Sequence, residues 1–479
     1  MKKTFLIIAF LAVSTVLLTS VFYEMYWLFL IIVCICIIIP ITFVKSAIPY
    51  LFAFFFPLSQ MIPLGDKSSK LALYPEYVLI PLVSQFIFFF FYYQSNKKNS
   101  VAIILLPLII FLLIAFFSLL LSGLNLGFEK IFQGIGAWIM FTVSFMSLFV
   151  FVYLFEKKNL QNLVFLFLLS SFTISIVGII EYIFLHNTVT EGNSYRISSL
   201  FGSFLRSERQ GNPNVLGTFL TVSILLSISV RQLYYGIKKN ILLSGAFINL
   251  FALFLTSSRS GLVALVIGII YIGSVLERRL LFVIPAIFLF SVGTFILNPR
   301  WLDRLTSIWI VLSDSSVFKY FTSINLRHLD WNYVNYFGLG GYSVDVVSGA
   351  SRLAAWLVGV ETFLRFPFLG VGLRMNYFYS GFETAENFFL DILVMTGILG
   401  FICFIWFFYK IRFIIKDILR RTTDKFSRNY TYAYISMMIV FVVVSLTGSV
   451  FFNFKLMMML SFLTSLLWHV HKHTIQETE

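Results

Sequence analysis

Long apolar runs alternate with short polar connections along most of this chain. Runs of about 20 apolar residues match the length a helix needs to cross the hydrocarbon core of a bilayer. They are centred near residues 12, 34, 54, 83, 111, 143, 173, 221, 249, 268, 288, 400, 440 and 461. The pattern predicts about 14 transmembrane helices, within a range of 12–14. The run between Lys45 and Asp66 contains Pro49, Pro57 and Pro63, so a re-entrant segment is its alternative reading. Met1-Lys2-Lys3 and the apolar stretch after it resemble a signal peptide, but no small-x-small cleavage site follows before Tyr23. That run is read as a retained span.

One stretch breaks the rhythm. From Asn298 to Glu386 the chain stays mixed and partly polar. Within it Leu353, Trp356, Val360 and Phe363/Leu364 recur at helical spacing, and Glu361 and Arg365 stand one turn apart. Trp301 to Leu312 shows a weaker version. These segments predict amphipathic helices on or near a membrane–water boundary. The expected architecture is therefore an all-α polytopic membrane protein, one integral membrane domain over residues 1–479. Its polar segments fall at Gly65 to Glu76, 186–214, 257–261 and 298–386. Composition agrees: 59% of residues are hydrophobic and 12% charged, about half the charge of a soluble domain.

Charge adds an orientation. With Lys2 and Lys3 on the cytoplasmic side, alternate connections hold twenty basic and six acidic residues, an excess equal to the whole net charge of +14. The remaining basic and acidic residues balance. Such positive-inside bias places both termini in the cytoplasm and the four polar segments outside. It also accounts for the basic balance without nucleic acid. Cys34, Cys36 and Cys403 lie inside apolar runs, so neither a disulfide framework nor zinc spacing is available. His469, His471 and His473 read as a solvated tail cluster. No phosphate-binding loop or dinucleotide fingerprint sits in a strand–turn–helix context, which argues against an ATP-driven machine.

Candidate chemistry lies on the outer side. Arg259 sits in the turn Ser257-Ser258-Arg259-Ser260-Gly261 between two apolar runs. There a guanidinium offers phosphate a planar fork of donors, the serines add hydroxyls, and Gly261 lets a ligand approach the backbone. The alternative is an interfacial anchor that snorkels to phospholipid. The segment before it carries Arg196, Arg206 and Arg209, which positive-inside bias does not explain, followed by Gly211-Asn212-Pro213-Asn214. Asn212 or Asn214 is expected to cap the next helix and point its N-terminal dipole at an anion. Glu386 opens the span after the long segment; it is either a carboxylate that accepts a hydroxyl proton or a first-turn acid favoured by the helix dipole. Asp391, deeper in an apolar run, is a functional candidate by default or a partner of Asn387. Arg352 and Arg374 are further cations with salt-bridge pairing as the alternative.

The motifs stand in a specific order: Arg196-x-Ser-Ser-Leu-Phe-Gly with Gly211-Asn-Pro-Asn-Val-Leu-Gly; Thr256-Ser-Ser-Arg-Ser-Gly; and Ser351-Arg-x-x-x-Trp, Pro367-Phe-Leu-Gly-Val-Gly, Glu386-Asn-Phe-Phe-Leu and Gly397-Ile-Leu-Gly. Over about residues 190 to 405 this set resembles the bacterial O-antigen ligase and Wzy-type polysaccharide polymerase family. The resemblance implies a GT-C-like, inverting glycosyltransferase of the bacterial inner membrane that needs no cofactor or metal. It implies an undecaprenyl-pyrophosphate-linked oligosaccharide as donor, with the active site on the extracytoplasmic face. It further implies that Arg259 and an arginine before Asn-Pro-Asn hold the pyrophosphate. Arg196 fits the latter role, with Arg209 and Arg206 as rivals; Arg352, Arg374, Asn387 and Asn214 are candidates for substrate contacts. Ligases of the family usually carry His-Asn where this chain has Glu386-Asn387, so the resemblance leans toward the polymerase branch, with Glu386 as general base and His328 in reserve. Its partners would be lipid-linked donor and acceptor, a repeat-unit flippase and a chain-length regulator. A ligase acting on a lipid, protein or wall acceptor, and a transporter of the same lipid-linked glycan, are the competing expectations.

Overall fold

The computed structural model describes residues 50, 53–54, 56–57, 62–63, 72–73, 101–155, 159–185, 212–289, 344–382 and 384–478. Apart from a two-residue antiparallel pairing of Ile62–Pro63 with Ala72–Leu73, the regular elements among them are helices. In chain order the helices are α1 (Val101–Leu126), α2 (Phe128–Leu154), α3 (Leu160–Leu185), α4 (Pro213–Val230), α5 (Ile237–Thr256), α6 (Arg259–Val275), α7 (Val344–Arg365), α8 (Asn376–Ser380), α9 (Phe388–Arg421), α10 (Lys425–Thr447) and α11 (Phe454–Thr478). Residues 283–289 are also helical.

Six helices among the described residues are long and apolar enough to cross a membrane: Leu106–Leu126, Leu160–Ile180, Pro213–Leu233, Ile237–Thr256, Phe388–Arg421 and Lys425–Thr447. They answer to the runs expected near 111, 173, 221, 249, 400 and 440. The runs near 143 and 268 appear as the shorter apolar helices Gly134–Leu148 and Arg259–Val275. The runs near 12, 34 and 83 lie outside the described residues.

Side-chain ties set the helix directions. Asn429 at the start of α10 donates to the Ser229 carbonyl at the end of α4, 3.2 Å away, so these two helices run antiparallel. Asn387 ahead of α9 donates to the Leu446 carbonyl near the end of α10 at 3.2 Å. Together with the short α5–α6 and α9–α10 connections, these bonds gather the N-termini of α4, α6, α9 and α11 at one end of the bundle. The basic residues Arg231, Lys238, Lys239, Arg278, Arg279, Lys410 and Arg412 lie toward the other end.

Two devices hold the bundle without help from a hydrophobic effect between helices, which lipid does not supply. One is close approach over small residues: a Cβ on Gly245 of α5 would meet the Phe172 ring of α3 at 2.0 Å, and one on Gly217 of α4 would meet the Ser258 Cβ at 2.6 Å. The other is buried hydrogen bonding. Asn249 of α5 accepts from Ser175 at 2.7 Å and donates to Ser171 at 3.0 Å, both on α3. Aromatic packing fills the rest. Phe388, in the first turn of α9, touches Phe404, Phe441, Phe451 and Phe452 with ring centroids 5.1–6.2 Å apart.

The helix α9 is broken at Gly397, whose φ of 64° and ψ of −171° are not helical. The chain from Pro367 to Gly372 fills the break. Val371 N–H donates to the Val394 carbonyl (2.9 Å), Gly372 N–H to Met395 (2.8 Å), Ile398 N–H to Pro367 (2.8 Å) and Leu399 N–H to Phe368 (3.3 Å). Ser118 and Ser122 of α1 donate to the Met395 and Val371 carbonyls. Irregular backbone at membrane depth is tolerated when protein groups satisfy it in this way.

The histidine tail differs from expectation. The helix α11 continues to Thr478, which buries His471 and His473. The His471 ring nitrogen lies 2.9 Å from Asp417 on α9, which also pairs with Arg421, and His469 bonds the Val152 carbonyl. The three residues are helix-packing groups instead of a solvated cluster.

Candidate functional site

The gathered N-termini form the end at which the sequence placed its chemistry. Asn212 caps α4: its side-chain oxygen accepts from Asn214 N–H at 2.9 Å, with Pro213 at the first helical position. That is the expected Asn-Pro-Asn start, since proline lacks only an N–H that has no helical partner there. Asn214, in the first turn, is half-buried. Its carbonyl accepts from Thr218 Oγ1 at 2.8 Å.

Arg259 is the first residue of α6 and half-buried. The turn before it is shorter than expected, because Ser257 and Ser258 alone separate α5 from α6. Ser257 takes the left-handed conformation (φ 51°), and Ser258 caps α6 by accepting from Gly261 N–H at 3.3 Å. Two expectations change here. Ser258 is fully buried and engaged as a cap, so its hydroxyl does not face a ligand. Gly261 serves helix packing: a Cβ there would meet Leu253, Ser258 and the backbone of Gly217 at 3.2–3.3 Å. Thr221 of α4 also donates to the Gly261 carbonyl at 3.0 Å. The Asn-Pro-Asn helix and the Arg259 helix are thus bound side by side with both N-termini at the same end.

Glu386 stands one residue before the cap of α9. Asn387 caps that helix, its oxygen accepting from Phe389 and Leu390 N–H at 3.1 Å. Glu386 itself is half-buried and has φ 52°, a left-handed conformation that side chains with a Cβ rarely adopt. Its carbonyl accepts from Trp356 Nε1 of α7 at 3.3 Å. Asp391 does not pair through its side chain with Asn387. Its carboxylate accepts from Ala385 N–H at 2.6 Å and from the Ser449 hydroxyl, while its backbone N–H bonds the Asn387 carbonyl. The turn containing Ser449 runs into a short 3-10 helix, Val450–Phe452, that touches both α4 and α9. That 3-10 helix thus bridges α4 and α9.

Arg352 lies on α7, half-buried, and Arg374 is exposed with φ 56°. Arg196, Arg206, Arg209 and His328 lie outside the described residues. The helix α7 exists as expected, including the exposed Glu361–Arg365 ion pair, and much of its apolar side faces out of the protein. Ala355, Val358, Gly359 and Thr362 are buried, with Gly359 against Ala385 and Leu390. Leu357, Val360 and Leu364 point away from the protein, Leu364 at 69% exposure, while Trp356 is partly exposed with its Nε1 turned to Glu386. Small residues take the protein side because α9 approaches closely there. Sequence reading missed Ser449 and Lys455. Lys455, in the first turn of α11, is buried, and its ammonium donates to the Pro57 carbonyl at 3.3 Å. A lone serine and a lone lysine beside phenylalanines give no periodic signal. No group of three or more His, Cys, Asp or Glu that would suit a metal occurs among the described residues.

Arrayed helix N-termini with a guanidinium suit an anion, and a carboxylate at the same end of the bundle suits proton transfer. A comparison with curated proteins finds no match for the chain. A family model described as O-Antigen ligase matches residues 244–405, roughly a third of the chain, which include Arg259, Arg352, Arg374, Glu386 and Asn387. A membrane protein with an O-antigen ligase domain at residues 244–405, consistent with the O-antigen ligase/Wzy-type family, the chain has the features of a glycan-transferring enzyme of ligase- or polymerase-like function.

Proposed function

We propose that the protein joins oligosaccharide repeat units carried on undecaprenyl pyrophosphate into a surface polysaccharide. The observation that carries this reading is Glu386, held left-handed directly ahead of the α9 cap, at the same end as the N-termini that bear Asn214 and Arg259. A hydroxyl of the acceptor sugar attacks the anomeric carbon of the donor. The bond from that carbon to the phosphate oxygen breaks, and undecaprenyl pyrophosphate leaves with the electron pair. The hydroxyl proton passes to the Glu386 carboxylate, and the anomeric centre inverts. Arg259, with Arg196 or Arg209, meets the charge developing on the pyrophosphate. Each charge-assisted hydrogen bond contributes about 1.5–3 kcal/mol. Asn214, Asn387, Arg352 and Arg374 contact the saccharides. The chain crosses the inner membrane about 14 times, with both termini cytoplasmic and the site outside. The outward apolar side of α7 then meets lipid beside the site.

The family model's description favours a second reading, transfer of the glycan to a lipid, protein or wall acceptor. One assay tests both: purified protein in detergent, lipid-linked repeat units, and the non-carrier acceptors added separately. Elongation on the carrier by wild type supports polymerisation. Transfer to another acceptor without elongation supports ligation. A base role predicts that Glu386→Gln loses about 10²–10⁴ in rate and that Glu386→Asp retains more. Full elongation by Glu386→Gln, or none by folded wild type, sinks the proposal.

A further inference from the structure

We propose that Asp391 is a positioning residue: through Ala385 and Ser449 it holds Glu386 in the conformation from which its carboxylate works. The inference rests on the base role of Glu386 proposed above.

The starting point is the cost of that conformation. An L-residue at φ 52° brings Cβ close to its own carbonyl, and it persists only where the surroundings over-determine it. Bonds on both sides of Glu386 supply that determination. Behind it, Ala385 is fully buried, and its N–H donates to Asp391 Oδ1 at 2.6 Å. At Glu386 itself the carbonyl receives Trp356 Nε1. Ahead of it, Asn387 caps α9 and is tied to the Leu446 carbonyl of α10. Asp391 closes this loop onto the first turn of α9, because its own N–H bonds the Asn387 carbonyl.

The second carboxylate oxygen reaches further and accepts the Ser449 hydroxyl, in the turn between α10 and α11. Asp391 is fully buried and Ser449 half-buried, so the Ala385 bond is the one made away from water. One carboxylate therefore fixes the segment before Glu386 to the turn that leads into the 3-10 helix Val450–Phe452, which touches α4. The α4 N-terminus stands at the same end as Arg259 of α6, where pyrophosphate is proposed to sit. Base and anion site are held in register through a side chain that touches neither substrate.

The test combines amide hydrogen exchange of the 380–390 segment with steady-state elongation by purified full-length protein. Asp391→Leu keeps the branched shape, in a somewhat larger side chain, but accepts no hydrogen bond. It should raise exchange at Ala385 about tenfold or more and lower kcat about 10²-fold with KM nearly unchanged, as a misplaced reacting group does. Ser449→Ala, a milder change, should shift both in the same direction by less. Asp391→Asn keeps an acceptor for Ala385 and offers Ser449 a donor, so it should stay within about threefold of wild type. Unchanged exchange in Asp391→Leu or Ser449→Ala overturns the inference. So does faster exchange with unchanged kcat, or a kcat loss in Asp391→Asn as deep as in Asp391→Leu. Absence of elongation by wild type overturns the base reading and this inference with it. Wild-type elongation that is lost in Glu386→Gln but indifferent to Asp391 and Ser449 overturns this inference alone.

Discussion

Replacing Gly397 by alanine should be one of the most damaging single-methyl changes in this protein. The backbone there sits at φ 64° and ψ −171°, a region that residues with a Cβ essentially do not occupy. Forcing alanine into it costs about 1–3 kcal/mol. The added Cβ would also meet the Phe368 carbonyl oxygen at 2.2 Å, its carbon at 2.3 Å and Leu369 N at 2.5 Å. These are backbone atoms and cannot swing aside, so the Pro367–Gly372 segment must move. Its displacement releases the bonds from Ile398 to Pro367 and from Leu399 to Phe368, at about 1 kcal/mol each. The total is a loss of about 3–5 kcal/mol. Gly136, on the exposed face of α2, is the control. A Cβ there meets nothing within 4 Å, so Gly136→Ala should gain about 0.5–1 kcal/mol from helix propensity. The same chemical change thus has opposite signs at two sites. Thermal loss of monodisperse protein on size-exclusion chromatography should rank Gly136→Ala at or above wild type and Gly397→Ala far below. Equal melting of Gly397→Ala and wild type would refute the argument from close backbone approach.

Arg259→Lys should fail in the elongation assay nearly as badly as Arg259→Ala while still accumulating in the membrane, because a point charge does not replace a bidentate fork; near-normal output from the lysine variant would reduce Arg259 to an interfacial anchor. Topology is open to labelling in a background whose native cysteines are replaced by serine. A single cysteine at exposed Glu361 should react in intact cells with a membrane-impermeant thiol reagent, and one at exposed Thr423, at the opposite end of the bundle, should not. Labelling at Thr423 and not at Glu361 would invert the orientation and move the site to the cytoplasm.

Much of the architecture was legible in the chain because its causes are local. Apolar length makes a spanning helix, and α1, α3, α4, α5, α9 and α10 follow it directly. Asn-Pro-Asn makes a helix start, and Asn212 caps α4 as its short side chain requires. Glu361 and Arg365, one turn apart, meet on α7. The ordered motifs also pointed to the family whose model matches residues 244–405.

What the chain did not disclose depends on partners far away in sequence. Periodicity marked Trp356, Val360 and Leu364 as one face of α7, which does face outward, but nothing in it showed that Gly359 on the covered side would meet Ala385 and Leu390. Gly261 looked like room for a ligand until Gly217 was placed against it. The solvated histidine tail was a local inference, undone when Asp417 of α9 came to lie beside His471. Asp391 read as a functional candidate or a partner of Asn387, because Ser449, 58 residues on, has no pattern that announces it. Sequence alone marked the six spanning helices among the described residues, because propensity and apolar length act within a few residues. Tertiary structure alone decided which side of each helix is covered, where α9 breaks and what holds Glu386. Those outcomes depend on hydrogen bonds and close approaches between segments that become neighbours only when the chain is folded.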